Sequence, residues 1–316
     1  MLTMIDSLRV AVIGVGNNTS ALVQGLAFYR NTGSLIGIAR PEVDGLAVGD
    51  VRVVAAFARS DGKVGKDLHE AIFAAPNNFP RVEADLPPAG VTVQRGLFDA
   101  TGIERIAGAL TGAEVVLYSA PSGRPEIALA YAEAALAAGA AFVNTTADPV
   151  ARDAGLAGRF AAAALPLIGD DLASQFGVSV LHRTLLDLLA ARGLTLAGSY
   201  QVNLGGTEDF RNLVANPDAK KRSKANALGS DLVGIAPLGY LPHLGSQKIA
   251  HLNIEARGWA GSAVSLDVHL KVHDPAGAAG VNIDLVRLAG AAVRSGRGGY
   301  LPEAAALLKS PPGTAV

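Results

Sequence analysis

The chain contains no cysteine among its 316 residues, which excludes a disulfide framework, thiolate metal sites and a cysteine nucleophile. It also lacks a charge bias. The formal net charge is −1, which leaves no general electrostatic case for nucleic acid or an anionic membrane as partner. The six histidines are scattered, so no histidine-rich metal site is expected and no metal is assigned. The longest apolar stretch, IALAYAEAALAAGAAFV (127–143), is interrupted by Glu133 and Gly139. It reads as a packed helix running into a strand and not as a membrane span. The opening MLTMIDSLRV carries Asp6 and has no apolar signal core, so a cytoplasmic protein is expected. With 50% hydrophobic and 17% charged residues, the chain can bury the cores of two domains.

Leu8 to Ile13 is a β-branched-rich run of the kind that fills a central parallel strand. Gly14-Val15-Gly16-Asn17-Asn18-Thr19-Ser20 follows, and then a helical stretch from Ala21. Strand, glycine turn and helix in that order suit a dinucleotide pyrophosphate at a helix N-terminus. The third glycine is absent, and a plain strand–helix turn reads equally well. A second strand, Val51 to Phe57, ends in Ala58-Arg59-Ser60-Asp61. An acid at that end would bind a ribose 2′-hydroxyl, whereas arginine suits a 2′-phosphate, so NAD and NADP both stay open.

Short apolar strands then alternate with helices. A short helix at Asp67–Phe73 precedes strands at Val91–Gln94, Val115–Ser119, Ala141–Asn144 and Leu165–Ile168, with helices at Ile103–Leu110, Pro125–Ala138 and Phe176–Ala191. This alternation predicts a doubly wound parallel sheet of the α/β class. Ser119, Ser122, Gly123, Asn144 and Thr145 fall at strand ends, where ligands bind or where ordinary turn chemistry suffices. Asp170, Asp171, Ser174 and Gln175 sit at a strand-to-helix turn that suits either a phosphate or a simple cap. From Leu194 the pattern changes to long alternating strands, Leu196–Leu204, Lys248–Arg257 and Ala263–His273, which predict a second, mostly antiparallel sheet. Asp274 to Gly277 reads as a turn, and Val281 to Ser295 as a helix containing Asp284.

Asn203 to Lys224, NLGGTEDFRNLVANPDAKKRSK, is the most chemically loaded stretch. Asp209 follows the Gly205-Gly206 break, and Lys220 and Lys224 stand four apart, on one face of any helix there. Stacked like charges favour an opposing anion such as a phosphate, although a solvated turn would also accommodate them.

Several of these pieces together resemble the myo-inositol-1-phosphate synthase family in its short bacterial form. They are VAVIGVGNNTSALVQG (10–25), VVAAF (53–57), GKDLHEAIFAAPNNF (65–79), IGDDLASQFG (168–177), NLGGTEDFRNL (203–213), KKRSK (220–224), GVNIDLVR (280–287) and LLKSPP (307–312). The resemblance implies a Rossmann-type doubly wound domain (residues 1–193 and 275–316) split by an α+β sheet domain (residues 194–274) that builds a homotetramer. It implies a redox-neutral cycle in which NAD oxidises a hexose 6-phosphate, an intramolecular aldol step closes the ring, and the ketone is reduced again. The implied catalytic residues are Lys220, Lys309, Asp171, Asp209 and Asp284. Ser174, Gln175, Lys224 and Lys248 are implied at the substrate phosphate. Gly14, Gly16, Asn17, Asn18, Thr19, Arg59, Ser119, Asn144 and Asp171 are implied at the cofactor.

The chain departs from the family pattern in places. The ribose acid is Ala58, a lysine position is Ala173, and an aspartate position is Ser246. Glucose 6-phosphate is the default substrate. The departures also admit the same cycle closing a five-membered ring from fructose 6-phosphate, as in relatives from carbocyclic nucleoside pathways. A simple NAD(P)-dependent sugar-phosphate dehydrogenase is a third reading.

Overall fold

Leu8–Ile13 forms β1 and is buried at five of six positions, as a strand covered on both faces must be. The computed structural model describes residues 7–215, 232–235 and 239–313. After β1 come α1 (Asn17–Thr32), a small hairpin of β2 (Glu42–Val43) and β3 (Leu46–Ala47), and β4 (Val51–Ala58). Next are α2 (Leu68–Ala71), β5 (Val93–Arg95), α3 (Ile103–Ala109) and β6 (Val115–Tyr118). Then follow α4 (Pro125–Ala137), β7 (Ala141–Asn144), α5 (Ala154–Ala162) and β8 (Leu167–Ile168).

Six of these strands make one sheet in the order β5-β4-β1-β6-β7-β8, parallel throughout. The doubly wound expectation therefore holds. The direction of winding reverses between β1 and β6, and ligands in such sheets bind outside the carboxyl ends of the strands at that switch.

The second half begins with α6 (Val178–Ala191) and β9 (Thr195–Gly205), then α7 (Glu208–Ala215), β10 (Val233–Ile235) and β11 (Gly239–Tyr240). It continues through β12 (Gln247–Arg257) and β13 (Ala263–His273) to α8 (Asp274–Arg294). The long pairings of β12 with β9 and β13 are antiparallel, whereas β10 and β11 run parallel to β9. The second sheet is thus mixed. Helix α6 packs across β9 and β12 rather than on the first sheet.

The expected turn at Asp274–Gly277 is instead the first turn of α8, with Pro275 near its start. Proline costs nothing there, because its missing N–H would have no helical partner and its fixed φ suits the helix. Helix α8 is long and apolar enough to cross a membrane, but 78% of its most apolar window is buried inside the protein.

Within α8, Arg287 is fully buried and spends its guanidinium on the carbonyls of Arg40, Pro41, Leu46 and Ile283. Asp284 supplies the counter-charge, at 2.7 Å from Arg287 Nη2 and 3.3 Å from Arg40 Nη1. Asp284 therefore clamps the 40–46 loop to α8, and the structure places it inside the core.

A polar line runs between α6 and the second sheet. Ser199, Gln201 and Asn203 alternate onto one face of β9, and all three are buried. Gln201 Nε2 lies 3.4 Å from His182 Nδ1, His182 Nε2 lies 2.7 Å from Ser199 Oγ, and Ser199 Oγ donates to Asn253 O at 2.5 Å. These directions agree if the imidazole is neutral with its proton on Nε2. Burial lowers the His182 pKa from 6.5 to about 4. Between those values the unfolded chain holds a proton that the folded chain refuses, so stability falls as pH falls through that window. The loss attributable to His182 should come to about 2 kcal/mol between pH 7 and pH 4.5. Denaturant unfolding at pH 7 and pH 4.5 checks this. The His182→Gln variant should show a shallower decline than the parent, and equal slopes would remove His182 as the cause.

Candidate active site

The carboxyl ends of β1, β4, β6 and β7 open into a cavity of about 620 Å3, closed on its far side by residues of α7, β12, α8 and the C-terminal segment. The glycine turn forms one wall. Gly14 adopts φ +98°, and a Cβ there would lie 2.7 Å from Ser119 O, so no side chain fits. Gly16 caps α1, no side chain closes that helix end, and a Cβ on Gly16 would meet only open space. An uncapped helix N-terminus facing a cavity favours an anion, so the turn fits a dinucleotide pyrophosphate.

Lys63, absent from the sequence expectations, braces this turn from the cavity wall. It is 4% exposed, and its Nζ donates to Val15 O at 2.7 Å and to Asn77 Oδ1 at 2.6 Å. The loop containing Asn77 also straps the turn to the second sheet. Asn17 Oδ1 accepts from the backbone of Asn78 and Phe79, while Asn78 Nδ2 donates to Gly206 O at 2.9 Å.

The opposite wall depends on the C-terminal segment. Asp170 and Ser310 exchange backbone hydrogen bonds in both directions at 3.0 Å, and Lys309 N donates to Asp171 O. This pairing sets Lys309 beside β8, where its Nζ lies 3.0 Å from Asp171 Oδ1 and 2.7 Å from Leu172 O. Asp170 itself is fully buried and accepts from Asn144 Nδ2 and the N–H groups of Val150 and Ala151. Burial pushes its carboxyl upward against those donors. From β12, Lys248 Nζ meets Asp274 Oδ1 at 3.0 Å and lies 5.9 Å from the Phe210 ring centre. Asp148, between the β6 and β7 loops, accepts from the backbone of Gly123 and Arg124, and burial raises its pKa.

Gly14, Gly16, Asn17, Asn18, Arg59 and Ser119 line the cavity on the side of the glycine turn. Asp171, Ser174, Asp209, Lys248 and Lys309 line it on the other. Four expected residues lie elsewhere. Thr19 is buried and donates its hydroxyl to Gly14 O, so it holds the turn from behind. Asn144 is fully buried and anchors Asp170. Gln175 is exposed and donates to Gly37 O. Asp284 sits in the core between two arginines. Lys220 and Lys224 lie outside the described residues.

The sequence expectations missed Lys63, Asp274 and Arg124, all of which line the cavity. Lys63 precedes the quoted GKDL segment by two residues, and Asp274 was hidden in an apparent turn.

Burial lowers the Lys63 pKa from 10.5 to about 8. Between these values the unfolded chain binds the extra proton, so the folded state gains stability as pH rises. Thermal unfolding from pH 7.5 to 10 checks this, with Lys63→Met expected to lose that upward slope whatever its absolute Tm. A parallel slope in the variant would assign the titration elsewhere.

The family described as Myo-inositol-1-phosphate synthase matches residues 177–275. The inositol-3-phosphate synthase of Mycolicibacterium smegmatis is 38% identical, over 96% of this chain and 93% of that protein. Its counterpart from Corynebacterium glutamicum is 33% identical, over 97% of this chain and 94% of that one. Among solved structures, Ari2 superimposes with a TM-score of 0.89 at 49% identity, covering 98% of this chain and 94% of that chain. A myo-inositol-1-phosphate synthase-related protein from Thermotoga maritima shares the fold, with a TM-score of 0.80 at 23% identity over 96% and 93% of the two chains. On the 38% match over 96% of its length, the chain belongs to the myo-inositol-1-phosphate synthase family.

Proposed function

We propose that the protein is a sugar-phosphate carbocyclase that works with a bound nicotinamide dinucleotide and turns a hexose 6-phosphate into a cyclitol phosphate. One observation carries this reading. Lys309 and Lys248, each held by an aspartate, converge on the cavity that also contains the glycine turn. A pyrophosphate-binding turn alone would fit any dehydrogenase. Anchored ammonium groups facing it suit a reaction that places negative charge on substrate oxygens.

The dinucleotide supplies a reversible hydride acceptor, so the overall cycle is redox-neutral. The chain's own groups do the remainder. Lys309, oriented by Asp171 and Leu172 O, takes the proton of the hydroxyl that becomes a ketone and returns it at the end. Lys248 and Ser174, which share the cavity, are assigned to the substrate phosphate. Asp209, on α7 and lining the same cavity, is assigned to the substrate hydroxyls. Lys220 is assigned to the oxygens of the enolate and the aldol alkoxide, on the family resemblance alone. A proton leaves C6 beside the new C5 ketone, the C6 carbanion attacks the C1 aldehyde to form the C6–C1 bond, and the resulting alkoxide takes up a proton in return.

Glucose 6-phosphate is the default substrate. Fructose 6-phosphate with closure to a five-membered ring is the second reading, favoured by Ala173. That residue has no cation to offer beside Ser174, and its backbone N–H is bound to Leu307 O. Incubation with each sugar phosphate, followed by NMR of the products, separates the two. A six-membered cyclitol phosphate from glucose 6-phosphate supports the first, and a cyclopentane product from fructose 6-phosphate supports the second. Net accumulation of reduced nicotinamide without a carbocycle would make the protein a plain dehydrogenase. Lys309→Ala and Lys220→Ala should each lower turnover at least about a hundredfold with unchanged circular dichroism. Retention of most activity by either variant would remove that lysine from the mechanism.

A further inference from the structure

The end of β4 carries no acid. Ala58 closes the strand, and Arg59 and Ser60 follow it onto the cavity wall. The nearest carboxylate, Asp61, does not line that wall. Its side chain is 91% exposed and pairs with Arg95 at 2.7 Å. Arg95 also donates to Arg59 O at 2.8 Å, which fixes the backbone that presents Arg59. Both guanidinium groups lie over the exposed Phe98 ring, at 5.8 Å and 5.9 Å from its centre.

In a doubly wound sheet this strand end meets the ribose of the adenosine half. An acid there binds the 2′-hydroxyl and repels a 2′-phosphate, whereas an arginine with a hydroxyl neighbour does the reverse. The charges add up in that direction here. Arg95 offsets Asp61, and Arg59 has no ion-pair partner among the described residues, so a dianionic group would meet a net positive wall. The planar guanidinium can grip phosphate oxygens in a bidentate manner, which a ribose diol cannot exploit as fully.

We propose that the site selects a 2′-phosphorylated dinucleotide, NADP(H) over NAD(H), with Arg59 and Ser60 as the residues that read the phosphate. This deepens the reading of the cavity as a nicotinamide dinucleotide site and rests on it.

Calorimetric titration of the nucleotide-free chain with NADPH and with NADH tests the proposal without any turnover. NADPH should bind at least about tenfold more tightly, and its advantage should shrink as salt rises. Arg59→Met should lose that advantage while keeping its affinity for NADH within about threefold. Ala58→Asp should reverse the preference by restoring a ribose acid. Equal or tighter binding of NADH by the parent would overturn the proposal, assign Arg59 to the adenine ring, and leave the carbocyclase reading intact. Binding of neither nucleotide would overturn both.

Discussion

Two backbone hydrogen bonds between Asp170 and Ser310, one in each direction, hold together the wall on which the proposed chemistry depends. They bring a lysine from the far end of the chain to the last strand of the first sheet, where Asp171 and a carbonyl fix its ammonium group. The carboxylate of Asp170, buried and held by Asn144 and two backbone N–H groups, keeps the strand end from relaxing. An unpartnered carboxylate buried this deeply would cost several kcal/mol, so the donors around it are a condition of the geometry. Without this clip, Lys309 would be an ordinary residue of an exposed terminal segment.

The glycine turn depends on a comparable arrangement. Lys63 and Asn77 both bond the carbonyl of Val15, so the turn is held in place by side chains of the cavity's own wall. Asn17 contributes to the same brace through the backbone of Asn78 and Phe79. Preorganised backbone amides are more effective than flexible ones, because the cost of ordering them is met during folding and not during binding.

The parts of this structure that were legible in the sequence are those governed by local periodicity. The β-branched run of β1, the glycine turn after it and the alternation of β12 and β13 were each placed correctly from residue pattern. Elements governed by distant partners were not. The parallel pairing of β10 and β11 with β9 leaves no trace in their own few residues. The start of α8 was obscured because Asp-Pro signals a turn and a helix start equally well. Nothing in the residues around Lys63 sets it apart from a surface lysine, and only folding shows it buried. Asp284 carried the right chemical group for a site, yet its surroundings are two arginines and the 40–46 loop. Residue type announces what a side chain can do, while burial and neighbours decide where it is used.

Asn78 reaches across to the carbonyl of Gly206, immediately before the helix that carries Asp209. One short loop therefore sets the spacing between the half of the cavity lined by the glycine turn and the half lined by α7. A lineage that drifts in this loop disturbs both halves together, which makes it a poor place for innovation. Arg124 lines the cavity but takes no part in that strap, so one wall can be remodelled there while the gap between the halves is inherited unchanged.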